Sequence, residues 1–292
     1  MSETSVRVAN GRQLALSSNG PDDGAPVVYL HGCPGSRLDD SPGRNALLAR
    51  VGVRVITVER PGYGRSSPCR GRRVVDYVDD LRVVVDHERI DRFAVLGYSA
   101  GGPYALAAAA RLGDRVSAVG TISTVGRPDW PGAFYGMAPG ERTLHRLASV
   151  SPRLVEIYFA FAKRLLARKP QRFLAEFEKE LSDSDRSLYA KPEIRDLVLR
   201  ASREGLRQGG VGAAEDWAEF ARRPWGFDLD ELERPVHVWF GTADRIVPVT
   251  QSRYLVSLLK NPVIHEIDDE GHLLVFTHLE EILSSIASPV SA

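Results

Sequence analysis

The 292-residue chain contains only two cysteines, Cys33 and Cys69. Two thiols cannot build the multi-bridge framework that holds small secreted domains. They read as free thiols, and a reducing cytoplasm is the natural setting. Charge of one sign is also missing: 38 Lys+Arg balance 38 Asp+Glu, for a formal net charge of zero. Without a basic surplus there is no electrostatic footprint for nucleic acid. The short basic stretches, Arg70 to Arg73 and Lys163-Arg164, read as solvated faces. No apolar run approaches the ~18 residues of a membrane span. Met1 to Ser5 show no basic region leading into an apolar one, so no secretory signal is expected. Internal repeats, low-complexity tracts and metal-ligand spacings are absent. The implied partner is a small molecule, with no metal or organic cofactor.

What the sequence does contain is a series of short apolar runs. Val6 and Val8 alternate with polar neighbours, Asn10-Gly11 supplies a turn, and Leu14 and Leu16 resume the alternation, which predicts a β-hairpin. Runs at Pro26–Leu30, Val51–Val58, Phe93–Leu96, Val116–Ile122, Val236–Phe240 and Val263–Ile267 follow. Continuous apolar strands, several ending at glycine, imply a sheet buried on both faces and largely parallel. Helical stripes lie between them: Val74 to Val85, the alanine-rich Tyr104 to Leu112, Tyr254 to Leu259, and Leu279 to Ile286. Alternating strands and helices predict an α/β layer architecture.

From about Gly126 to Leu232 no convincing strand occurs. Ser151-Pro152 is a cap and first-turn pair opening a helix with Leu154, Ile157, Tyr158, Phe161 and Leu165 on one face. Phe173, Leu174, Phe177 and Leu181 form a second stripe. Ile194, Leu197 and Val198 suggest a third, opened by Pro192. The expected organisation is a core of residues 1–125 and 233–292 with a helical insertion at 126–232.

Gly97-Tyr98-Ser99-Ala100-Gly101 matches G-x-S-x-G. A serine on a sharp strand-to-helix turn sits in strained backbone geometry, and flanking side chains larger than hydrogen would clash. The pentapeptide alone is a weak signal. Its setting is stronger, because a strand pattern precedes it and a helix pattern follows it. A serine hydroxyl needs a base, usually a histidine oriented by a carboxylate. Of seven histidines, His272 lies in a loop between the last strand and last helix. His87, His145, His237, His265 and His278 fall inside predicted elements and read as structural or exposed. Asp244 follows the strand ending at Phe240, just past a C-terminal strand end, where sites in such sheets gather. Asp268 and Asp269 are rival acids, more simply read as shaping the His272 loop.

The order Ser99, Asp244, His272 is the chain order of the α/β-hydrolase fold. The chain resembles that superfamily over nearly its whole length. Four separated signatures carry the resemblance: His31-Gly32-Cys33-Pro34-Gly35, the Ser99 turn, the Asp244 turn and the His272 loop. Arg60-Pro61-Gly62-Tyr63-Gly64-Arg65-Ser66 also looks like a family loop. The resemblance implies a mostly parallel central sheet, an all-helical cap over the site, and an oxyanion hole from the backbone N–H groups of Cys33 and Ala100. The Cys33 thiol is not presented on an elbow of its own, so it does not read as a nucleophile.

The implied activity is that of a serine hydrolase, most simply an esterase acting on a small apolar or aromatic ester. Tyr98, Trp130, Phe134, Tyr158 and Trp217 are the candidate substrate contacts. Three alternatives stay open: a non-hydrolytic acyltransferase, lyase or cyclase on the same scaffold, a peptidase similar to proline iminopeptidases, and a ligand-binding receptor with a retained triad. The peptidase resemblance has departures, since Cys33 and Tyr98 stand where those enzymes commonly carry glycine and tryptophan.

Overall fold

Along the central strands, successive side chains enter two different hydrophobic layers. Val28, Leu30, Ile56 and Val58 belong to one buried cluster, while Val27, Tyr29, Val53 and Val55 belong to the other. This period of two, with both faces apolar, is why the strands read as continuous runs. The computed structural model describes residues 2–39, 44–127, 129–222 and 225–287. The expected domain boundaries are therefore covered only in part: Met1, Pro128, Arg223, Pro224, 40–43 and 288–292 lie outside the described residues.

The strands are β1 (Ser2–Arg7), β2 (Gln13–Asn19), β3 (Ala25–Leu30), β4 (Val53–Val58), β5 (Phe93–Tyr98), β6 (Val116–Ile122), β7 (Val236–Gly241) and β8 (Pro262–Ile267). They form one sheet in the order β1-β2-β4-β3-β5-β6-β7-β8. The hairpin β1–β2 and the β2–β4 pair are antiparallel. Every other pairing is parallel. Asn10 (φ 57°) and Gly11 (φ 70°) turn the hairpin in the left-handed region, as the Asn-Gly pair predicts.

Helices α1 (Arg44–Val51), α11 (Leu274–Thr277) and α12 (Leu279–Ala287) are associated with one face. There the stripe Leu279, Ile282, Leu283 and Ile286 is buried with Tyr29 and Trp239. Helices α2 (Tyr77–His87) and α3 (Gly102–Leu112) cover the other face through Val78, Leu81, Val85 and Leu106. Burial of each such side chain contributes about 1.5–3 kcal/mol relative to exposure. Helix α10 (Val249–Leu258) packs on β7. The architecture is the expected α/β fold with a mostly parallel sheet.

Between β6 and β7 the described residues hold helices and no strand. They are α4 (Pro139–Val150), α5 (Pro152–Arg168), α6 (Pro170–Glu178), α7 (Asp183–Tyr189), α8 (Pro192–Gly205) and α9 (Val211–Arg222). The sequence patterns locate α5, α6 and α8 and miss the other three. Helix α7 is short and polar, and α9 carries buried acids that interrupt its apolar stripe. Ser151 caps α5 by accepting the N–H of Arg153.

The buried face of α5 differs from the expected one. Ile157 is 54% and Phe161 70% exposed, and Leu154 and Tyr158 are exposed too. Val155, Phe159 and Leu166 are buried instead, against α4, α9 and neighbouring helices. Both sets satisfy an i, i+3/i+4, i+7 pattern, so periodicity alone cannot choose between two adjacent apolar faces.

Among the described residues no helix is long and apolar enough to cross a membrane.

Candidate active site

Ser99 stands at the end of β5 with φ 52°, in the left-handed region that a non-glycine residue rarely occupies. A tight 3₁₀ turn, Ser99–Gly101, leads into α3. The flanking glycines are sterically required. A Cβ on Gly101 would collide with the Leu30 carbonyl, and one on Gly97 with the Gly101 carbonyl. The elbow predicted from Gly97 to Gly101 is thus present, with Ser99 7% exposed.

Asp244 lies in the turn after β7. Its Oδ1 accepts the backbone N–H groups of Ile246 and Val247, both at 2.9 Å. Its Oδ2 is 2.8 Å from His272 Nδ1. A proton on Nδ1 donated to Asp244 leaves Nε2 as the basic nitrogen. Both side chains are buried. Burial alone would push the His272 pKa down, but Asp244, with Asp185 and Glu141 beyond it, outweighs that and holds it above its ordinary value. The rival acids Asp268 and Asp269 are both exposed, whereas His272 and Asp244 are buried.

Ser99 and His272 line one pocket of about 100 Å³, together with Gly32, Cys33 and Tyr98. Phe173, Phe177 and Phe276 supply apolar wall. A smaller space of about 20 Å³ also touches Ser99, Cys33 and Ala100, and there Trp217 is part of the wall. Among the described residues, neither the Cys33 nor the Ala100 backbone N–H donates to a protein acceptor. The Cys33 thiol pKa is pushed up to about 12, chiefly by burial and further by Asp216. That disfavours the thiolate, in keeping with a backbone role.

Of the candidate substrate contacts, Tyr98 and Trp217 line these two spaces. The others do not. Trp130 stacks on Tyr254 with ring centroids 4.7 Å apart. Tyr158 is exposed and packs edge-on against Phe159. Phe134 lines a separate outer cavity.

Three acids escape the sequence patterns. Asp185 of α7 accepts the backbone N–H of His272 at 2.9 Å and of Leu273 at 2.8 Å. Its sequence signal is only a serine cap, Ser182, whose hydroxyl accepts the Asp185 N–H. Asp216 of α9 is fully buried and accepts from Arg60, Arg72, Tyr63 and Tyr104. Arg60 in turn donates to the carbonyls of His31 and Gly32, pinning the loop that carries Cys33. Arg72 therefore corrects the solvated reading of Arg70–Arg73: it is 3% exposed, while Arg70 and Arg73 stay at the surface. The third acid is Glu141 of α4, which lines both spaces at Ser99. Burial, reinforced by Glu180 and Asp244 and opposed by His272, pushes its pKa up to about 7.

His31 is buried, its Nε2 accepting the Arg60 N–H. Burial and the Arg60 charge keep its pKa well below the ordinary value, so it is neutral. No group of His, Cys, Asp and Glu that could hold a metal occurs among the described residues.

Known proteins resemble this chain over its length. The AB hydrolase superfamily protein YisY of Bacillus subtilis is 27% identical over 275 residues, 90% of this chain and 91% of that one. A non-heme haloperoxidase of Rhodococcus erythropolis is 27% identical over 263 residues, 88% of each chain. A thermophilic esterase from Thermogutta terrifontis superposes with a TM-score of 0.69 at 24% identity, covering 98% of this chain and 97% of that one. That structural likeness establishes the fold. Residues 25–279 match the family described as the alpha/beta hydrolase fold, and the chain belongs to that family.

Proposed function

We propose that this protein is a serine carboxylesterase that cleaves a small apolar or aromatic ester through an acyl-enzyme. The observation that carries this reading is the 2.8 Å pairing of Asp244 with His272, whose side chain shares a pocket with the strained Ser99. His272 takes the Ser99 proton as Ser99 attacks the ester carbonyl. Asp244 stabilises the resulting imidazolium. The oxyanion is held by the N–H groups of Cys33 and Ala100; losing one such donor costs on the order of 3 kcal/mol. His272 then passes its proton to the leaving alcohol. A water activated by the same nitrogen releases the acid.

In this reading residues 126–232 form a cap on a core of residues 1–125 and 233–292. Helices α6 and α8 supply Phe173, Phe177 and Val198 to the pocket wall. The pocket's small volume and phenylalanine lining support a substrate of modest size. Reaction with a fluorophosphonate tests the nucleophile directly. One equivalent should attach to the Ser99 peptide by mass spectrometry. Labelling elsewhere, or none on folded protein, contradicts the assignment.

A further inference from the structure

On α4, Arg142, His145, Arg146 and Ser149 fall at i, i+3, i+4 and i+7, one stripe of the helix. That stripe lines an outer cavity of about 610 Å³, whose other walls include Gly132, Phe134 and Tyr135. Neither arginine has a carboxylate partner among the described residues, whereas Arg37, Arg60, Arg70, Arg72 and Arg111 each have one. Arg142 donates only to the carbonyls of Phe134 and Met137, and its buried Nε has no acceptor. Two like charges one turn apart repel, and no carboxylate among the described residues forms an ion pair with either.

His145 stands between this cavity and the space at Ser99. It lines the outer cavity and also the space that touches Ser99, Cys33 and Ala100. It is 4% exposed, and its Nδ1 has no hydrogen-bond partner. Its ring is held edge-on between Phe134 (5.0 Å) and Trp217 (4.7 Å). Burial pushes its pKa down to about 4, so the partition is neutral at neutral pH. The cavity's positive charge therefore comes from the arginines. On the inner side stands Glu141, which disfavours an anion beside Ser99. Charge is thus divided between the two spaces: a carboxyl inside, and outside two guanidinium groups with no carboxylate partner among the described residues.

We propose that the outer cavity is an anion subsite, which takes the terminal carboxylate or phosphate of a substrate whose ester reaches Ser99 past His145. The anion sits against Arg142 and Arg146, and Phe134 and Tyr135 flank the apolar arm that carries it. The proposal rests on Ser99 being the nucleophile, and it names the substrate class of that site.

Two measurements separate this proposal from the esterase reading. The first is kcat/KM on p-nitrophenyl half-esters of glutarate, adipate and suberate, each divided by that on a neutral ester of equal chain length. The ratio should reach about tenfold for one chain length and fall with added salt. In Arg146→Gln it should drop towards one, with Arg142→Gln as the second variant. Arg153→Gln, an exposed charge on α5, should leave the ratio unchanged. Taking a ratio removes any change in folding or basal rate. The second is calorimetric binding of adipate, and of hexyl phosphate, to Ser99→Ala protein. Binding of either that is lost on adding Arg146→Gln supports the subsite even if no ester is hydrolysed, and the tighter of the two names the anion. Ester turnover without an anionic preference, or a preference unmoved by both arginine variants, overturns it.

Discussion

The carboxylate of Asp185 accepts the backbone N–H of His272 at 2.9 Å. Its second oxygen takes the next N–H, that of Leu273, at 2.8 Å. A helix inserted between β6 and β7 thus grips the loop that carries the proposed catalytic base. Asp185 is 2% exposed, and a Cβ on Gly271 would collide with its carboxylate, so the loop is fitted closely to it.

Replacing Asp185 by asparagine loosens that grip and removes a negative charge near His272. Misplacing a reacting group by about 1 Å costs up to 10²-fold, so kcat on a good ester should fall at least about tenfold with KM little changed. Asp185→Glu should recover part of the loss. A purely structural role would instead lower the fraction of active enzyme, visible by active-site titration, and leave kcat per active site unchanged.

The pH dependence of kcat/KM follows from the charges facing His272. Asp244, Asp185 and Glu141 together raise its pKa above the ordinary value. His272 must be neutral to act as a base, so they set the acid limb of the profile. Glu141, pushed up to about 7 by burial, is one of the carboxyl groups that act on His272. Glu141→Gln removes its negative charge and should move the acid limb to lower pH. An unmoved or raised limb would show that Glu141 does not act on His272.

Asp216 makes a different prediction, one of stability. Burial alone would raise its pKa, but Arg60 and Arg72, with the hydrogen bonds from Tyr104 and Arg72, lower it to about 2. A carboxylate depressed on folding stabilises the fold above its unfolded value near 4. That contribution is lost as pH falls from about 4 to about 2, and it amounts to roughly 2 kcal/mol. Asp216→Asn leaves two buried guanidinium groups without their anion, and should cost about 3–5 kcal/mol at pH 7. Urea unfolding at pH 7 and near pH 3 checks both statements, because the gap between wild type and variant should narrow in acid. An equal gap at both pH values would contradict the assigned charge on Asp216.

The strands and the proposed triad were legible because each carries a local signature. Gly97 and Gly101 flank Ser99 because backbone carbonyls approach closely, a constraint that leaves glycine in the sequence. Asp244 and His272 follow strands and sit in turns, where position alone marks them. The helices between β6 and β7 were harder. The two apolar faces of α5 satisfy the same periodicity, so the stripe through Ile157 and Phe161 does not by itself mark the buried side. Arg72 and Asp216 are 144 residues apart, and neither has a local pattern that separates a buried ion pair from a solvated charge. Asp185 looks like an ordinary residue of a capped helix start. Its bond to the His272 backbone exists only because α7 folds back over the sheet's C-terminal edge. The outer cavity was invisible too, since Arg142, His145 and Arg146 lie on α4, a helix that the apolar patterns miss.

The most direct test of the central assignment is release of p-nitrophenol from acyl esters of increasing chain length, comparing wild type with Ser99→Ala. Turnover by wild type that disappears in folded Ser99→Ala protein is the predicted result, with a short-chain optimum matching a pocket of about 100 Å³. Turnover that survives in Ser99→Ala, or no turnover of any ester by folded wild type, would contradict it.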